Sequence, residues 1–361
     1  MKTVRAVMLL VCLALVGPAA LAAGEPWSDD FSPPPGKYSW VQLDTGEWIK
    51  GDIIALYDEI LVFDSDHFGD LNVDLEDIRN LHGVGEFAVT FGGGAPVKGE
   101  LQIREEQIVI VTAEQRYVGL RADLVSFIPA ATRERDRWTG EIGAGVDVRR
   151  GNTDIAEQSV DLSLQRRTPN SRFTLDYLGN SNVTDGDRIT DSHRINAGLD
   201  RFTGRNLYWR PFSIQYYKDE PQNIRHQGTL DTGLGYHVMD SKRVEWDLQG
   251  GVGYNYLQSN SVEAGEDDNE TSFVGTFSSD LSIEVTSWMD YDLLVSMTFL
   301  NEESGRYQHH IVSELSTDFV GDFDIDFSII WDRTEAPQTL ADGTTPEKDD
   351  FVFTVGLSYE F

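Results

Sequence analysis

Apolar and polar side chains alternate along the last stretch of the chain, residues 350–361. One side of this two-residue period carries Phe351, Phe353, Val355, Leu357, Tyr359 and Phe361, and the other carries Val352, Thr354, Gly356, Ser358 and Glu360. Successive side chains of a β-strand point to opposite faces, so this strand would have one wholly apolar, largely aromatic face. A strand between lipid and a polar lumen has this pattern, which predicts a strand of a transmembrane β-barrel.

Similar alternation extends back to Trp138. It predicts twelve strands, at 138–149, 156–167, 172–182, 188–202, 207–218, 225–239, 244–257, 270–285, 290–300, 307–319, 322–333 and 350–361. An even number of strands is typical of single-chain bacterial barrels. We therefore predict that the last strand pairs with the first, near Trp138, to close the sheet and remove both of its edges.

The connections between these strands alternate in length. Those after even-numbered strands are short, as at 168–171 and 203–206, whereas the longest loops after odd-numbered strands cover 258–269 and 334–349. Short turns on one rim and long loops on the other are the arrangement of outer-membrane barrels, in which the short turns face the periplasm. This pattern predicts that the N-terminal part of the chain lies in the periplasm.

The two faces of the predicted strands separate apolar from acidic residues. The predicted lipid face includes Val160, Leu162, Leu164, Phe173, Leu175, Tyr177, Phe212, Ile214, Tyr216, Trp246, Leu248, Val252, Tyr254, Tyr291, Leu293, Val295, Met297, Phe299, Phe323, Ile325, Phe327, Ile329 and Trp331. The candidate lumen acids are Asp147, Asp161, Asp176, Asp200, Asp231, Asp247, Asp280, Asp292, Glu314, Asp324 and Asp326. Charges are costly in lipid and tolerated in a wet lumen. An aromatic girdle near the strand ends is predicted to contain Trp138, Tyr208, Trp246, Tyr291, Trp331 and Tyr359.

The candidate lumen acids leave two interpretations open. Fixed negative charge would favour cations in an open pore. Alternatively, the acids would form an internal network with Arg149, Arg166 and Arg194 that fills a narrow barrel. Twelve strands lie between the filled eight-stranded barrels and the wide porins, so size does not decide between them.

The N-terminus has the pattern of a secretory signal peptide, at residues 1–22. Lys2 and Arg5 precede an apolar run, and the sequence Ala20-Leu21-Ala22 is typical of a cleavage site. The only cysteine, Cys12, lies within this segment, so the mature chain would contain no disulfide and no cysteine metal site. Residues 23–36 are rich in proline and predict an extended linker.

Residues 37–130 contain an internal repeat that predicts a small β-rich domain. The sequence Lys50-Gly51-Asp52-Ile53 recurs as Lys98-Gly99-Glu100-Leu101, and the acidic turn Asp58-Glu59 recurs as Glu105-Glu106. The pattern is weakly similar to that of SH3-like or Sm-like barrels. The domain is either a folded spacer or a docking module for a periplasmic protein or peptidoglycan. A basic connector at 131–137 follows, which either faces anionic lipid headgroups or is an ordinary solvated linker.

The composition excludes some classes of function. A length of 361 residues indicates more than one domain. The net charge of −32 argues against nucleic-acid binding, because a basic footprint is absent.

The sequence offers little support for catalysis. The candidate bases in the barrel are His193, His226, His237, His309 and His310, and no serine lies in a Gly-x-Ser-x-Gly motif. Adjacent residues of a strand point in opposite directions, which argues against the His309-His310 pair as a metal site. We therefore predict that the protein is not an enzyme, and we assign no catalytic, cofactor-binding or metal-binding residue and no cofactor.

Several short motifs carry a family resemblance. With Trp138-Thr139-Gly140, Gly151-Asn152-Thr153-Asp154, Gly233-Leu234-Gly235-Tyr236 and an aromatic C-terminus, the region 138–361 resembles the YdiY-like family of salt-induced outer-membrane proteins, a family of unknown function. The resemblance implies an outer-membrane barrel and supplies no active-site residue. The end of the chain also resembles the insertion signal of such barrels, which would include Tyr359 and Phe361.

Together these patterns predict an all-β protein, with a twelve-stranded antiparallel transmembrane barrel at 138–361 preceded by a repeated periplasmic domain. The favoured function is that of an envelope-structure or stress protein of the outer membrane with a narrow, cation-preferring pore. The alternatives are a partner-binding or cell-wall-binding module anchored by a barrel and, with less support, an envelope hydrolase. The expected partners are outer-membrane lipid, lipopolysaccharide and the barrel-assembly machinery.

Overall fold

The computed structural model describes residues 36–149, 155–184, 187–220, 222–262, 265, 267–301 and 304–360. The predicted signal peptide, all but the last residue of the linker, and Phe361 lie outside these residues. Within the described ranges the chain forms β-strands and three short 3-10 helices, Leu75–Asp77, Arg121–Asp123 and Arg135–Arg137. These ranges contain no helix long and apolar enough to cross a membrane.

The N-terminal part of the chain forms one nine-stranded antiparallel sheet. Its strands are β1 (Ser39–Leu43), β2 (Trp48–Tyr57), β3 (Ile60–Ser65), β4 (Gly69–Asp74), β5 (Ile78–Phe91), β6 (Val97–Arg104), β7 (Gln107–Val111), β8 (Arg116–Leu120) and β9 (Leu124–Pro129). The strand order is β4-β3-β2-β1-β5-β6-β7-β8, and β9 pairs with β2 and β5.

The same order of elements occurs twice in this sheet. Strands β2, β3 and β4, one 3-10 helix and β5 are followed by β6, β7 and β8, another 3-10 helix and β9. Asp58 and Glu59 join β2 to β3 with φ angles of 46° and 62°, and Glu105 at the corresponding turn has a φ of 51°. Positive φ at both central residues is the geometry of a tight type I′ hairpin turn, which matches the twist of the strands.

Both repeats contribute to a single hydrophobic core. Leu56 and Phe63 from the first repeat pack in the same cluster as Leu101, Ile108 and Phe127 from the second. These side chains are almost completely buried. Neither repeat would bury this surface alone, so the two form one domain. The sheet is β-rich as expected, while its likeness to SH3-like or Sm-like barrels stays a prediction.

The remaining strands close into a barrel. They are β10 (Trp138–Arg149), β11 (Ile155–Thr168), β12 (Ser171–Thr184), β13 (Asp187–Phe202), β14 (Leu207–Asp219), β15 (Ile224–Ser241), β16 (Val244–Ser259), β17 (Asn269–Thr286), β18 (Met289–Phe299), β19 (Tyr307–Val320), β20 (Phe323–Thr334) and β21 (Asp349–Glu360). Each of these strands pairs in antiparallel orientation with the next strand along the chain, and β21 pairs with β10. The predicted twelve-stranded barrel is confirmed.

Within the described residues, the closing ladder between β10 and β21 is short. Its register runs from Glu141 opposite Glu360 to Gly145 opposite Gly356. The neighbouring ladder between β10 and β11 extends over the whole of β10, from Trp138 to Arg149.

Alternation along the strands gives the barrel an apolar exterior. Phe351, Phe353, Val355 and Leu357 of β21 are all exposed, and Phe353 is exposed by 67%. The residues between them, such as Thr354 and Ser358, pair with polar residues of β20 and point inwards. This is the inside-out distribution of a barrel surrounded by lipid.

One predicted girdle residue, Tyr208, was wrongly assigned. Its side chain is fully buried and contacts His237 inside the barrel, whereas its neighbour Trp209 is 48% exposed. The register between β14 and β15 shifts between Arg210 and Ser213. Such a β-bulge inserts an extra residue and reverses which side chains face outwards, which a strict two-residue period does not foresee.

Candidate functional site in the barrel interior

Two adjoining cavities occupy the barrel interior, with volumes of about 430 and 310 Å³. They share Asp176, Arg194, Asp280, Asp292 and His310 in their linings. The lining is rich in charged and hydroxyl side chains, as expected for a surface in contact with water. The interior therefore contains a polar space that spans several strands.

Two arginines on one wall enclose a buried acid. Asp200 of β13 is 1% exposed and accepts hydrogen bonds from Arg172 of β12 and Arg210 of β14, at 3.1 and 2.6 Å from their Nε atoms. Arg172 also donates from Nη2 to Asp247 of β16 at 2.9 Å. Charges withdrawn from water are tolerated when they are paired and fully hydrogen-bonded in this way.

A second buried group lies towards the long-loop end of the barrel. Asp332 of β20 accepts a hydrogen bond from Arg194 of β13 at 2.8 Å and lies 2.8 Å from Nδ1 of His310. The guanidinium of Arg194 also lies over the ring of Tyr217, 4.1 Å from its centre. The arginines of this wall are thus neutralised by specific acids.

The opposite wall carries acids without such partners. Asp280, Asp292 and Glu314 lie on β17, β18 and β19, on the far side of the ring of strands from β12 and β13. No ion pair to these three side chains is present in the described ranges. The interior therefore has a wall of arginines paired with acids, facing a wall of acids that lack cationic side-chain partners.

The other candidate lumen acids occupy different environments. Asp161 and Asp176 line the cavities, Asp231 is 7% exposed beside a smaller recess, and Asp326 accepts a hydrogen bond from Ser316 at 2.5 Å. Asp324 is partly exposed near the short turns, opposite Ser358. The side chain of Asp147 lies outside the described residues.

The predicted arginine network differs from the observed one. Arg166 lies opposite Trp138 on the outer face and pairs with Glu134 of the connector, which lowers the pKa of that carboxyl group. Of the predicted set, Arg194 lies inside the barrel and Arg166 outside. The side chain of Arg149 lies outside the described residues. The interior cations Arg172 and Arg210 were missed. Because Arg172 and Asp176 are four residues apart on one strand, alternation alone would have placed their side chains on the same face.

The N-terminal domain covers the short-turn mouth of the barrel. Asp58 pairs with Arg167, and the adjacent Glu59 pairs with Arg205. The backbone nitrogen of Lys242, in the turn between β15 and β16, donates to Asp74 at 2.8 Å. These contacts come from three successive short turns, β11–β12, β13–β14 and β15–β16, so they hold the domain along one half of the opening.

A lateral gap remains beside this cover, with a volume of about 600 Å³. It lies between Asp70–Asn72 of the N-terminal domain and the barrel residues Lys242–Glu245. Glu245 and Ser282 line both this gap and the larger interior cavity. The interior and the gap are therefore adjacent, with Glu245 between them.

One arrangement with metal-ligand chemistry occurs where the domain meets the barrel. Ligand atoms of Asp58, His237 and Asp240 all lie within 4.8 Å of one another. Sequence reasoning missed this group because Asp58 is distant in sequence and no short motif connects it to β15. The contact between the domain and the barrel thus creates a candidate metal site from residues that are far apart in the sequence.

The other candidate bases do not converge on a nucleophile. His193 and His226 lie 3.0 and 2.8 Å from the hydroxyl oxygens of Tyr177 and Tyr216. His309 packs against Trp331, while the adjacent His310 reaches Asp332 on the other face. The two adjacent rings thus lie on opposite faces of β19.

Comparisons with known proteins concern the barrel. The barrel has structural similarity to the NanC porin, at 10% identity and a TM-score of 0.38, covering 62% of this chain and 100% of that one. It is also similar to an outer membrane channel from Pseudomonas putida F1, at 10% identity and a TM-score of 0.37, covering 62% and 95%. The translocator domain of the autotransporter NalP from Neisseria meningitidis matches at 15% identity and a TM-score of 0.33, covering 62% and 87%.

No curated protein sequence matches the chain. A model of the protein family of unknown function DUF481, the YdiY-like family, matches residues 142–361. The match begins within β10 and extends to the C-terminus, so it includes the motif Gly233-Leu234-Gly235-Tyr236 and the aromatic end. The chain therefore belongs to the DUF481 family, and its family region is a closed twelve-stranded transmembrane β-barrel.

Proposed function

We propose that this protein is an outer-membrane barrel that passes small cations through a narrow polar lumen. The observation that carries the proposal is the wall formed by Asp280, Asp292 and Glu314. Neighbouring carboxylates that lack cationic side-chain partners repel one another, and mobile cations relieve that repulsion. The arginines across the lumen do not cancel this charge, because they are bound to Asp200, Asp247 and Asp332.

The membrane location is supported by the apolar exterior. Side chains such as Tyr254, Phe273 and Phe353 lie on the outer face of the barrel, and each is more than half exposed. A contiguous apolar surface of this extent requires lipid or a partner to cover it. In an outer-membrane barrel the short turns face the periplasm, so the N-terminal domain would lie there and restrict the mouth.

The test is conductance of the refolded full chain in a planar bilayer with a salt gradient. The zero-current potential should have the sign of cation preference. The combined substitutions Asp280→Asn, Asp292→Asn and Glu314→Gln should move it towards zero. A matched control, Asp267→Asn, Asp268→Asn and Asp342→Asn, removes three exposed loop acids and should leave it unchanged. Absence of conductance at any voltage, or equal shifts in both variants, would contradict the proposal.

A second candidate function is partner docking by the N-terminal domain. Strand β8 lies at the end of the sheet, so its outer edge offers unpaired backbone groups, and its Val118 and Leu120 are 57% and 59% exposed. Exposed edges of this kind pair readily with an added strand. Binding of peptidoglycan or an envelope protein to the full chain, lost in the variant Val118→Lys, would support docking. Equal recovery with both chains would count against it.

A further inference from the structure

The meeting point of the N-terminal domain and the barrel brings together three potential metal ligands. Asp58 is at the tip of the β2–β3 turn, and His237 and Asp240 lie near the end of β15. One ligand atom from each lies within 4.8 Å of the others. Because adjacent acids are common on protein surfaces, this closeness alone does not identify a site.

The burial and the hydrogen bonding of His237 supply independent support for a site. Its side chain is 3% exposed, and its ring packs beside Phe202 and Tyr208 with centroid distances of 6.0 and 5.0 Å. Nδ1 contacts a carboxylate oxygen of Asp247, while Nε2 is buried and has no hydrogen-bond partner in the described ranges. A metal-binding histidine usually donates one ring N–H to a carboxylate, which leaves the lone pair of the other ring nitrogen for the metal.

The carboxylates show the same lack of partners. Oδ1 of Asp240 is buried without a hydrogen bond in the described part of the chain. Asp58 uses Oδ1 for its contact with Arg167, which leaves Oδ2 available. A buried oxygen without a donor is costly, and a bound cation would satisfy it.

The charges around the group also favour a divalent cation. Asp58, Asp240, Glu245 and Asp247 supply four negative charges when ionised. Arg167 and Arg172 supply two positive charges beside them. The carboxylates at this point thus outnumber the cationic side chains that pair with them, which favours a bound cation. Without an ion, the acids would repel one another in a place that little water reaches.

We propose that Asp58, His237 and Asp240 bind a first-row divalent cation such as Zn²⁺, with one coordination position left for water. One imidazole and two carboxylates are ligands that Zn²⁺ accepts in tetrahedral sites. The ion would join the β2–β3 turn to β15 and so fasten the domain to the barrel mouth. This site goes beyond the proposed pore and does not depend on it.

Equilibrium dialysis of the folded full chain against Zn²⁺, followed by elemental analysis, tests the site. The native chain should bind one ion, and His237→Gln and Asp240→Asn should each lower the affinity at least tenfold. Asp247→Asn should lower it by roughly 10–100-fold, the usual effect of losing the carboxylate behind a ligand histidine. His310→Gln is the matched control, because His310 is also buried and contacts an aspartate but lies outside the group. This variant should bind one ion normally.

Hydrogen exchange of the native chain gives a second test that requires no variant. Zn²⁺ should increase protection both at residues 57–60 and at residues 236–241. Protection of only one segment would overturn the proposed bridge, as would native affinity in His237→Gln and Asp240→Asn. Absence of binding by the native chain at micromolar Zn²⁺ would overturn the site itself. Any of these results leaves the conductance test of the pore unaffected.

Discussion

Asp58, at the tip of the β2–β3 turn, forms an ion pair with Arg167 of β11, 109 residues further along the chain. The Arg167 side chain is 7% exposed, and its guanidinium lies 4.1 Å from the centre of the Phe202 ring and 5.1 Å from that of Tyr57. Aromatic rings around a guanidinium exclude water and strengthen its interaction with a carboxylate. This pair is therefore a principal contact between the N-terminal domain and the barrel.

Substituting Arg167→Gln should loosen that contact. It leaves the half-buried Asp58 without its cation, at a cost of about 1–3 kcal/mol. The expected result is faster hydrogen exchange at residues 57–60 in chelator-treated protein. Lys50→Ala is the control, because its pair with Asp66 lies within one domain and is 35% and 47% exposed, which limits its contribution to about 1 kcal/mol. Equal exchange in the two variants would show that the Asp58–Arg167 pair does not hold the domain.

Two glycines of β15 should differ sharply in their tolerance of alanine. A Cβ atom on Gly235 would overlap the ring of Tyr208, which packs against His237, whereas one on Gly228 would meet nothing within 4 Å. Gly235→Ala should therefore destabilise the folded barrel by about 1–3 kcal/mol through overpacking. Gly228→Ala should change stability by less than about 1 kcal/mol. Urea unfolding of the two variants measures the difference, and equal midpoints would contradict the packing of Tyr208 inside the barrel.

The free energy of unfolding should fall at high pH through Tyr57 of the N-terminal domain. Burial raises the pKa of its phenol to about 12. The unfolded value is about 10, so the folded state disfavours the phenolate. The stabilisation is fully present below about pH 10 and is lost as the pH rises towards 12. The difference in unfolding free energy between the native chain and Tyr57→Phe should change over this interval, and a constant difference would refute the effect.

The assignment of inner and outer faces predicts a contrast between adjacent residues of β21. Phe353 points outwards near the middle of the strand, and Thr354 lines an interior cavity. Phe353→Lys would place a charge in lipid at a cost of about 2–4 kcal/mol, whereas Thr354→Lys would meet water and acids. We expect the first variant to accumulate poorly in the membrane and the second to reach normal levels. Higher membrane levels of Phe353→Lys than of Thr354→Lys would contradict this assignment of the two faces.

Much of the barrel was predictable from local pattern. Alternation and loop-length parity placed all twelve strands, with ends that differ from the observed ones by no more than two residues. These features are encoded within each strand and the turn that follows it. The outward Phe353 and the inward Asp280 follow from the same rule, since neighbouring side chains take opposite faces.

The rest depended on information that no single strand contains. The inward turn of Tyr208 results from a bulge between β14 and β15, and bulges have no strong sequence signature. Arg166 turns to the outer face and pairs with Glu134, which a count of charges did not reveal. The grouping of Asp58 with His237 and Asp240 depends on how the two domains meet. Distant pairings of this kind require the fold.

The short ladder between β10 and β21 has a consequence for the width of the barrel. The diameter and strand tilt of a closed barrel follow from its shear number, which is fixed only when the last strand meets the first. Here that meeting depends on the register from Glu141–Glu360 to Gly145–Gly356. A slip of two residues would preserve the inner and outer faces while changing the shear, and with it the diameter of the lumen.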